Sequence, residues 1–350
     1  MGLELWFDVL TPKHARMASV LYHELGGRVL VTCREHDCTR YILEKYGVKY
    51  VCIGKYGGGT REGKLRAYAE RVLKLVDLIS SSGTRVHVSM CSPEGVRVAF
   101  GLGKPILLLV DTPHSYYVCR LTVPLASALL LPKCITADRL SYALPRCGVV
   151  IEYFDGVFEV AWILRHRVDP DELSKLGLEE FRYILVRTGE TLASYYSARD
   201  VTGVDQVLHL LSEKLPSNTK ILAIPRYPEH VEYLEKLRRV IVPREPVDTL
   251  SLCRYAIAVI SGGGTVATEA ALLGTPAITV FPHDFEVRKF VASRGYPLYW
   301  CPNPYEAVKK VLSIVKRVKA HRGDLLKVSD VLEDPIPKII QICRQFLDSS

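Results

Sequence analysis

The sequence predicts an α/β protein made of two doubly wound domains. Three observations carry that prediction. Short runs rich in Val, Ile and Leu recur without polar alternation, as in parallel strands covered on both faces. Helical periodicity follows most of these runs, the strand–helix rhythm of a parallel sheet. The rhythm comes in two successive series, separated by a weakly patterned stretch at 154–178.

In the first series, residues 3–9 read as a strand, with a loop at 10–14 and a helix to about residue 25. Strand 28–33, helix 37–46 and strand 50–53 follow. Residues 64–80 form a long helix with Leu65, Ala69, Val72, Leu73, Val76 and Ile79 on one face. Strand 85–89 leads to helix 93–101, whose Pro93 suits a first turn. Strands 105–110 and 149–153 complete the half. The second series has strands at 183–187, 220–224, 240–242, 255–260 and 276–281. Its helices fall at 204–214, 229–237, 249–253, 265–273 and 304–318, with a last helix at 335–346. The expected domains are 1–165 and 166–330, with 331–350 packing back on the first.

The totals agree. A chain of 350 residues suggests two domains. Its 48% hydrophobic and 24% charged residues match a soluble globular protein. The longest apolar runs, at 121–132 and 256–260, fall short of the roughly 18 residues a membrane span needs. The opening residues lack the basic start and small-residue cleavage site of a signal peptide. A cytoplasmic protein is expected, soluble or peripheral to a membrane. Ten cysteines contain no CxxC pair, so no zinc framework is readable and buried thiols are expected. Only two Asn and three Gln occur, a depletion of thermolabile amides that suggests a thermophile, in which an intracellular disulfide stays open. The net charge of +8 favours an anionic ligand. No nucleic-acid motif accompanies it, so no nucleic acid is expected as partner. The basic stretch from Lys309 to Lys327 is either a solvated face or a contact with an anionic membrane.

Ligands of open parallel sheets bind beyond the carboxyl ends of the strands, and two such domains facing each other make an interdomain cleft. The informative residues therefore follow the strands. Ser261 is followed by Gly262, Gly263 and Gly264, which permit positive φ and remove side-chain bulk. Thr265 opens a helix whose free N–H groups suit an anion. The stretch matches neither the dinucleotide fingerprint nor a P-loop. Glu269, one turn in, either accepts hydrogen bonds from ribose hydroxyls or pairs with the helix dipole. Asp111 and His114, after strand 105–110, either move a proton at an acceptor hydroxyl or serve as turn and helix caps. Glu94 is a second choice of base, or a dipole partner of its helix. Arg187 either grips a diphosphate or pairs with Glu190. Arg226 and His230, in PRYPEH, end the next strand. Thr11, Lys13 and His14 form a polar loop at the first strand's carboxyl end, in which Thr11 and Pro12 also suit a helix start. GKYGGGTREGK, at 54–64, is a second glycine-rich and cationic loop, either a lid over an anionic acceptor or a solvated loop.

EPVDTLSLCRYAIAVISGGGTVATEAALLGTPAITVF, at 245–281, resembles the nucleotide-binding half of GT-B-fold enzymes. It is similar to non-hydrolysing UDP-N-acetylglucosamine 2-epimerases and to the lipid-linked peptidoglycan N-acetylglucosaminyltransferase. Those proteins carry a small-residue loop and a Glu five residues before the Gly of a G-x-P turn, as Glu269 stands before Gly274, Thr275 and Pro276. The resemblance implies two Rossmann-like domains in a GT-B arrangement, Glu269 as ribose ligand, Gly263–Thr265 as phosphate loop, and Thr11, Lys13 and His14 as an acceptor-side loop that receives the acceptor or contacts the donor phosphates. FDVLTPKHA (7–15), CSPEGVRVAFGLGKPILLLVDTPHS (91–115), DGVFEVA (155–161) and SYYSARD (194–200) resemble the family called domain of unknown function 354, over nearly the full chain. Asp111 looks like the counterpart of an epimerase Glu. Other epimerase acid and base positions fall at Ser92, Tyr116, Tyr117 and Arg187, so the titratable groups that the family uses for elimination and re-addition are missing there. Glycosyl transfer needs only one base and cations or dipoles for the departing diphosphate. The expected activity is glycosyltransferase-like, using a nucleotide-diphosphate sugar, by resemblance a UDP-sugar. The resemblance implies no obligatory cofactor or metal, and the only DxD, Asp169 and Asp171, lies in the predicted linker. The acceptor is a glycan or a lipid-linked molecule. A nucleotide-sugar 2-epimerase and a non-catalytic nucleotide- or glycan-binding protein are the alternatives.

Overall fold

The computed structural model describes residues 4–146, 148–189, 203–317 and 327–349. These form two compact units, one of residues 4–146, 148–162 and 332–349, the other of residues 163–189, 203–317 and 327–331. SYYSARD, Glu190 and the later part of the basic stretch lie outside the described residues.

The first unit runs β1 (Leu5–Val9), α1 (Pro12–Glu24), β2 (Val29–Glu35), α2 (Thr39–Lys45), β3 (Tyr50–Lys55), α3 (Arg61–Ser81), β4 (Val86–Ser89), α4 (Pro93–Gly101), β5 (Ile106–Leu109), α5 (Tyr116–Thr122), β6 (Ala128–Pro132), β7 (Val150–Phe154) and α6 (Glu159–Ile163), which crosses into the second unit. Its strands form one parallel sheet in the order β3-β2-β1-β4-β5-β6-β7. The order reverses between β1 and β4, which makes the carboxyl ends of those two strands the natural ligand crevice. Trp6, Leu75, Ile79, Val96, Ile106 and Leu129 belong to one core beside the sheet.

The second unit continues with α7 (Asp171–Ser174), β8 (Tyr183–Arg187), α8 (Val204–Lys214), β9 (Lys220–Ile224), α9 (Val231–Glu235), β10 (Val240–Ile241), α10 (Thr249–Tyr255), β11 (Ala258–Ser261), α11 (Thr265–Leu272), β12 (Ala277–Thr279), α12 (Glu286–Ser293), β13 (Leu298–Trp300), α13 (Pro304–Arg317) and α14 (Val328–Val331). Its parallel sheet runs β10-β9-β8-β11-β12-β13 and reverses between β8 and β11. The last helix, α15 (Pro335–Asp348), belongs to the first unit. Asp334 caps it through the Ile336 N–H, the Arg85 guanidinium donates to Leu347 O at 2.6 Å, and Lys338 Nζ donates to Tyr153 O at 2.5 Å.

Three expectations change. The strand Ala128–Pro132 emerges from the apolar run 121–132, where continuous hydrophobicity cannot separate strand from helix. The segment expected to be a linker carries the end of β7 and the helices α6 and α7. The buried stripe of α3 is Arg71, Leu75 and Ile79, spaced by four, whereas Leu65 and Leu73 are exposed. A charged side chain holds an inward position because its charge is fully matched, as described next.

Candidate functional site

The β11–α11 turn of the second unit is open. None of Gly262, Gly263 and Gly264 has positive φ, contrary to the sequence expectation. Gly262 is required by close approach: a Cβ there would lie 2.5 Å from Gly189 Cα. At Gly263 and Gly264 a Cβ would meet nothing within 4 Å. Gly264 is the N-cap of α11 and supplies no side-chain cap, so among the described residues no capping side chain occupies the first N–H groups of the helix, the groups that suit an outside acceptor. Gly263 N donates to Ser261 Oγ at 3.1 Å, which fixes the turn. Arg187 is paired with Ser261 on the neighbouring strand, so the structure brings it beside the glycines. Its Nη1 donates to Pro225 O at 2.7 Å, which steadies the guanidinium. On the same loops, Thr188 Oγ1 accepts from Arg226 N at 2.7 Å and lies 3.1 Å from His230 Nδ1.

Glu269 lies on α11 but is fully buried. Contact with ribose hydroxyls therefore requires its cover to part on binding. The Gly274–Pro276 turn ends the helix by the usual left-handed glycine: Gly274 has φ 77°, and Thr275 N reaches back to Ala270 O at 2.8 Å.

The first unit gathers charge at the carboxyl ends of its strands. Thr11 caps α1 by accepting from His14 N at 3.4 Å, with Pro12 in the first turn. This start places Lys13 against two acids. Lys13 Nζ donates to Asp111, after β5, and to Glu159 Oε1 at 2.8 Å, at the start of α6. Burial opposes the ammonium charge, but Asp111 and Glu159 outweigh it and hold Lys13 above the usual lysine range. Burial raises Glu159 despite Lys13, and its Oε2 is buried with no hydrogen-bond partner among the described residues. His14 is half-buried, and Leu10 N donates to its Nδ1 at 3.4 Å. Burial and the adjacent Lys13 push it down to about 3, so the ring is neutral at ordinary pH. His114 lies in the short loop from Asp111 to α5, half-buried, with its carbonyl accepting from Tyr116 N at 2.8 Å.

Beneath this group lies a closed ion pair. Arg71 donates to both oxygens of Asp8, at 2.6 and 2.8 Å. Thr32 and Ser92 hydroxyls each donate to Asp8 at 2.5 Å, and Trp6 Nε1 donates to Thr32 Oγ1 at 2.8 Å. Burial raises Asp8, but Arg71 and these hydroxyls more than reverse it and hold the carboxyl well below its usual range. Ser92 also caps α4 by accepting from Gly95 N at 3.1 Å. Glu94, in the next position but one, is buried and raised by burial, with Arg34 Nη1 at 3.9 Å. Among the described residues no group of three or more His, Cys, Asp or Glu could hold a metal ion.

The sequence reading singled out Lys13, Asp111 and Glu94 but passed over Asp8, Arg34, Arg71 and Glu159. The available signal was an acid inside an apolar run: Asp8 in LWFDV and Glu159 in VFEVAWI.

Comparison with known proteins places this architecture. The family described as "Protein of unknown function (DUF354)" matches residues 3–344. An uncharacterized protein of Methanocaldococcus jannaschii is 28% identical over 345 residues, covering 96% of each chain. The structure is similar to that of a UDP-GlcNAc 2-epimerase of the same organism in complex with UDP-GlcNAc and UDP, with TM-score 0.69, 14% identity, and 98% and 99% of the two chains covered. It is also similar to Anabaena HepE in complex with UDP-glucose, with TM-score 0.61, 14% identity, and 99% and 100% covered. At that identity the likeness establishes the fold: two parallel-sheet, Rossmann-like α/β domains of the GT-B type.

Proposed function

The chain belongs to the DUF354 family, and from that premise we propose that it is a glycosyltransferase-like enzyme using a nucleotide-diphosphate sugar. The observation that carries this reading is the β11–α11 turn, where open glycines lead into an uncapped helix N-terminus beside Arg187. A diphosphate accepts hydrogen bonds from such N–H groups and from a guanidinium, and both stabilise it as a leaving group. The two structural neighbours described above bind UDP or UDP-sugars, which supports uridine as the base. Glu269 is assigned to the ribose once its cover parts. In the first unit Asp111 takes the proton of an acceptor hydroxyl, with Lys13 compensating its charge. Glu94 is the second candidate for that step, and His114 a further one beside Asp111. Thr11 and His14 shape the acceptor-side loop.

Epimerisation is the competing chemistry on this fold. Incubation with UDP-N-acetylglucosamine in heavy water, without acceptor, separates the two. The transferase reading expects no deuterium at the second carbon of the sugar; incorporation overturns it. Once an acceptor is found by screening, Asp111→Asn is expected to lower turnover by about 10²–10⁴-fold while UDP affinity is kept. Unchanged turnover removes Asp111 from the chemistry.

A further inference from the structure

Arg34, near the end of β2, is mostly buried, and its ion pairing is incomplete. Its Nε is buried and has no hydrogen-bond partner among the described residues. The carboxylate paired with it, Glu94, stands 3.9 Å from Nη1, beyond a hydrogen bond. Asp8, which lies deeper, is consumed by Arg71. A guanidinium left this way has a forked pair of donors without a matching acceptor, and a phosphate or carboxylate is the group that fits such a fork.

The surroundings of Arg34 are arranged around one aromatic ring. Tyr56 follows β3, and its N–H donates to Glu35 O at 3.1 Å. Arg34 lies over the Tyr56 ring at 5.4 Å, Lys64 at 5.9 Å, and His36 stacks on it at 4.4 Å. Lys64 is held in place by the glycine loop before α3. A Cβ at Gly57 would lie 2.5 Å from Gly63 O, so the loop backbone presses directly on the helix start, and Thr60 accepts from Gly63 N at 3.1 Å. The charge of Arg34 also reaches His14 and contributes to keeping that ring neutral.

We propose that Arg34, Tyr56 and Lys64 form an anion subsite on the first unit, which takes the phosphate or carboxylate group of a second substrate. The role of that substrate as acceptor rests on the function proposed above; the anion binding does not. Arg34 grips two oxygens through Nη and, once the cover of Nε parts on binding, through Nε; Lys64 supplies a further donor, and Tyr56 keeps both cations in register.

The test is calorimetry on the full chain with inorganic pyrophosphate, with and without saturating UDP, and with malonate in place of pyrophosphate. The malonate arm tells a carboxylate-bearing ligand from a phosphate-bearing one. The expected result is pyrophosphate or malonate binding that persists when UDP is saturating. Arg34→Ala weakens it by about tenfold or more and Lys64→Ala by about three- to fivefold, with UDP affinity unchanged. Arg34→Lys, which keeps the charge but loses the fork, falls between wild type and Arg34→Ala, and with Lys64→Ala it carries the test if Arg34→Ala does not fold. Equal affinity in wild type and variants overturns the subsite, as does the absence of any binding by both probes at millimolar concentration. If UDP does not bind, the nucleotide reading fails, while the ratio of wild type to variants without UDP still decides this one.

Discussion

The two units place a strand-to-helix turn at the same topological position and build it in opposite ways. In the first, the β4–α4 turn lies beside β1; in the second, the β11–α11 turn lies beside β8. Both flank the point where the strand order reverses. Ser92 closes the first turn from within, capping α4 and donating to the buried Asp8. The second turn has glycine where a capping side chain would stand. A side-chain cap occupies one of the free N–H groups of a helix start, whereas an uncapped start keeps that group for a ligand. The comparison teaches that one fold can spend the same site on rigidity in one unit and on recognition in the other.

The strongest way to break this contrast is to unlock the first unit. Arg71→Ala leaves the Asp8 carboxylate buried without its cation, which is expected to cost about 3–5 kcal/mol of stability. Urea unfolding read by fluorescence measures it. The double variant with Asp8→Ala removes both charges and is expected to cost less than the sum of the single variants. If Arg71→Ala costs under about 1 kcal/mol, the pair is not what locks the turn.

A second test closes the open turn. Gly264→Asp puts a carboxylate at the start of α11, in space where a Cβ meets nothing within 4 Å. The fold should tolerate it, because φ at this position is −80°. The added charge should repel a diphosphate and lower UDP affinity by about 100-fold, measured by calorimetry. The melting temperature should be little changed. UDP binding at wild-type strength would mean that the nucleotide sits elsewhere.

How much of this was legible follows from the range of the interactions. The strands at Tyr183–Arg187 and Lys220–Ile224 and the helix at Pro93–Gly101 were readable because propensity, apolar pattern and a first-turn proline agree locally. The strand Leu298–Trp300 was not, since three residues carry no period. The glycine turn was legible, with positive φ and the removal of side-chain bulk both open as its cause; the second holds at Gly262, where Gly189 crosses beside it, a contact that no local pattern reveals. Asp8 and Arg71 are 63 residues apart, and Lys13 and Glu159 are 146 apart. Pairing over such separations leaves no periodic trace, so a buried arginine within a helical stripe reads as a break in the pattern rather than its centre.

The smallest expected effect concerns pH, and it sharpens the contrast by asking where acid acts. In the first unit half-buried His14 and buried His87 are pushed down to about 3 and about 4. Burial is the largest cause for both; Lys13 adds to it at His14. In the unfolded chain a histidine titrates near 6.5. Between these values the unfolded state binds more protons, so each ring's contribution is intact above about pH 6.5 and is lost as pH falls. At pH 5 the loss is roughly 2 kcal/mol for each. Glu94 and Glu159 act in the opposite sense, because burial raises them and the folded state then binds protons more readily than the unfolded one. The raw pH profile mixes the two effects, so the informative quantity is the difference between wild type and His14→Gln. That variant removes the titrating ring but keeps a polar side chain beside Leu10 N. The wild type should lose about 2 kcal/mol more than the variant between pH 7 and pH 5, read from urea unfolding at each pH. Parallel profiles would show that the His14 ring takes up a proton within the folded unit, and the site around Lys13 would then be more open to water than its burial indicates.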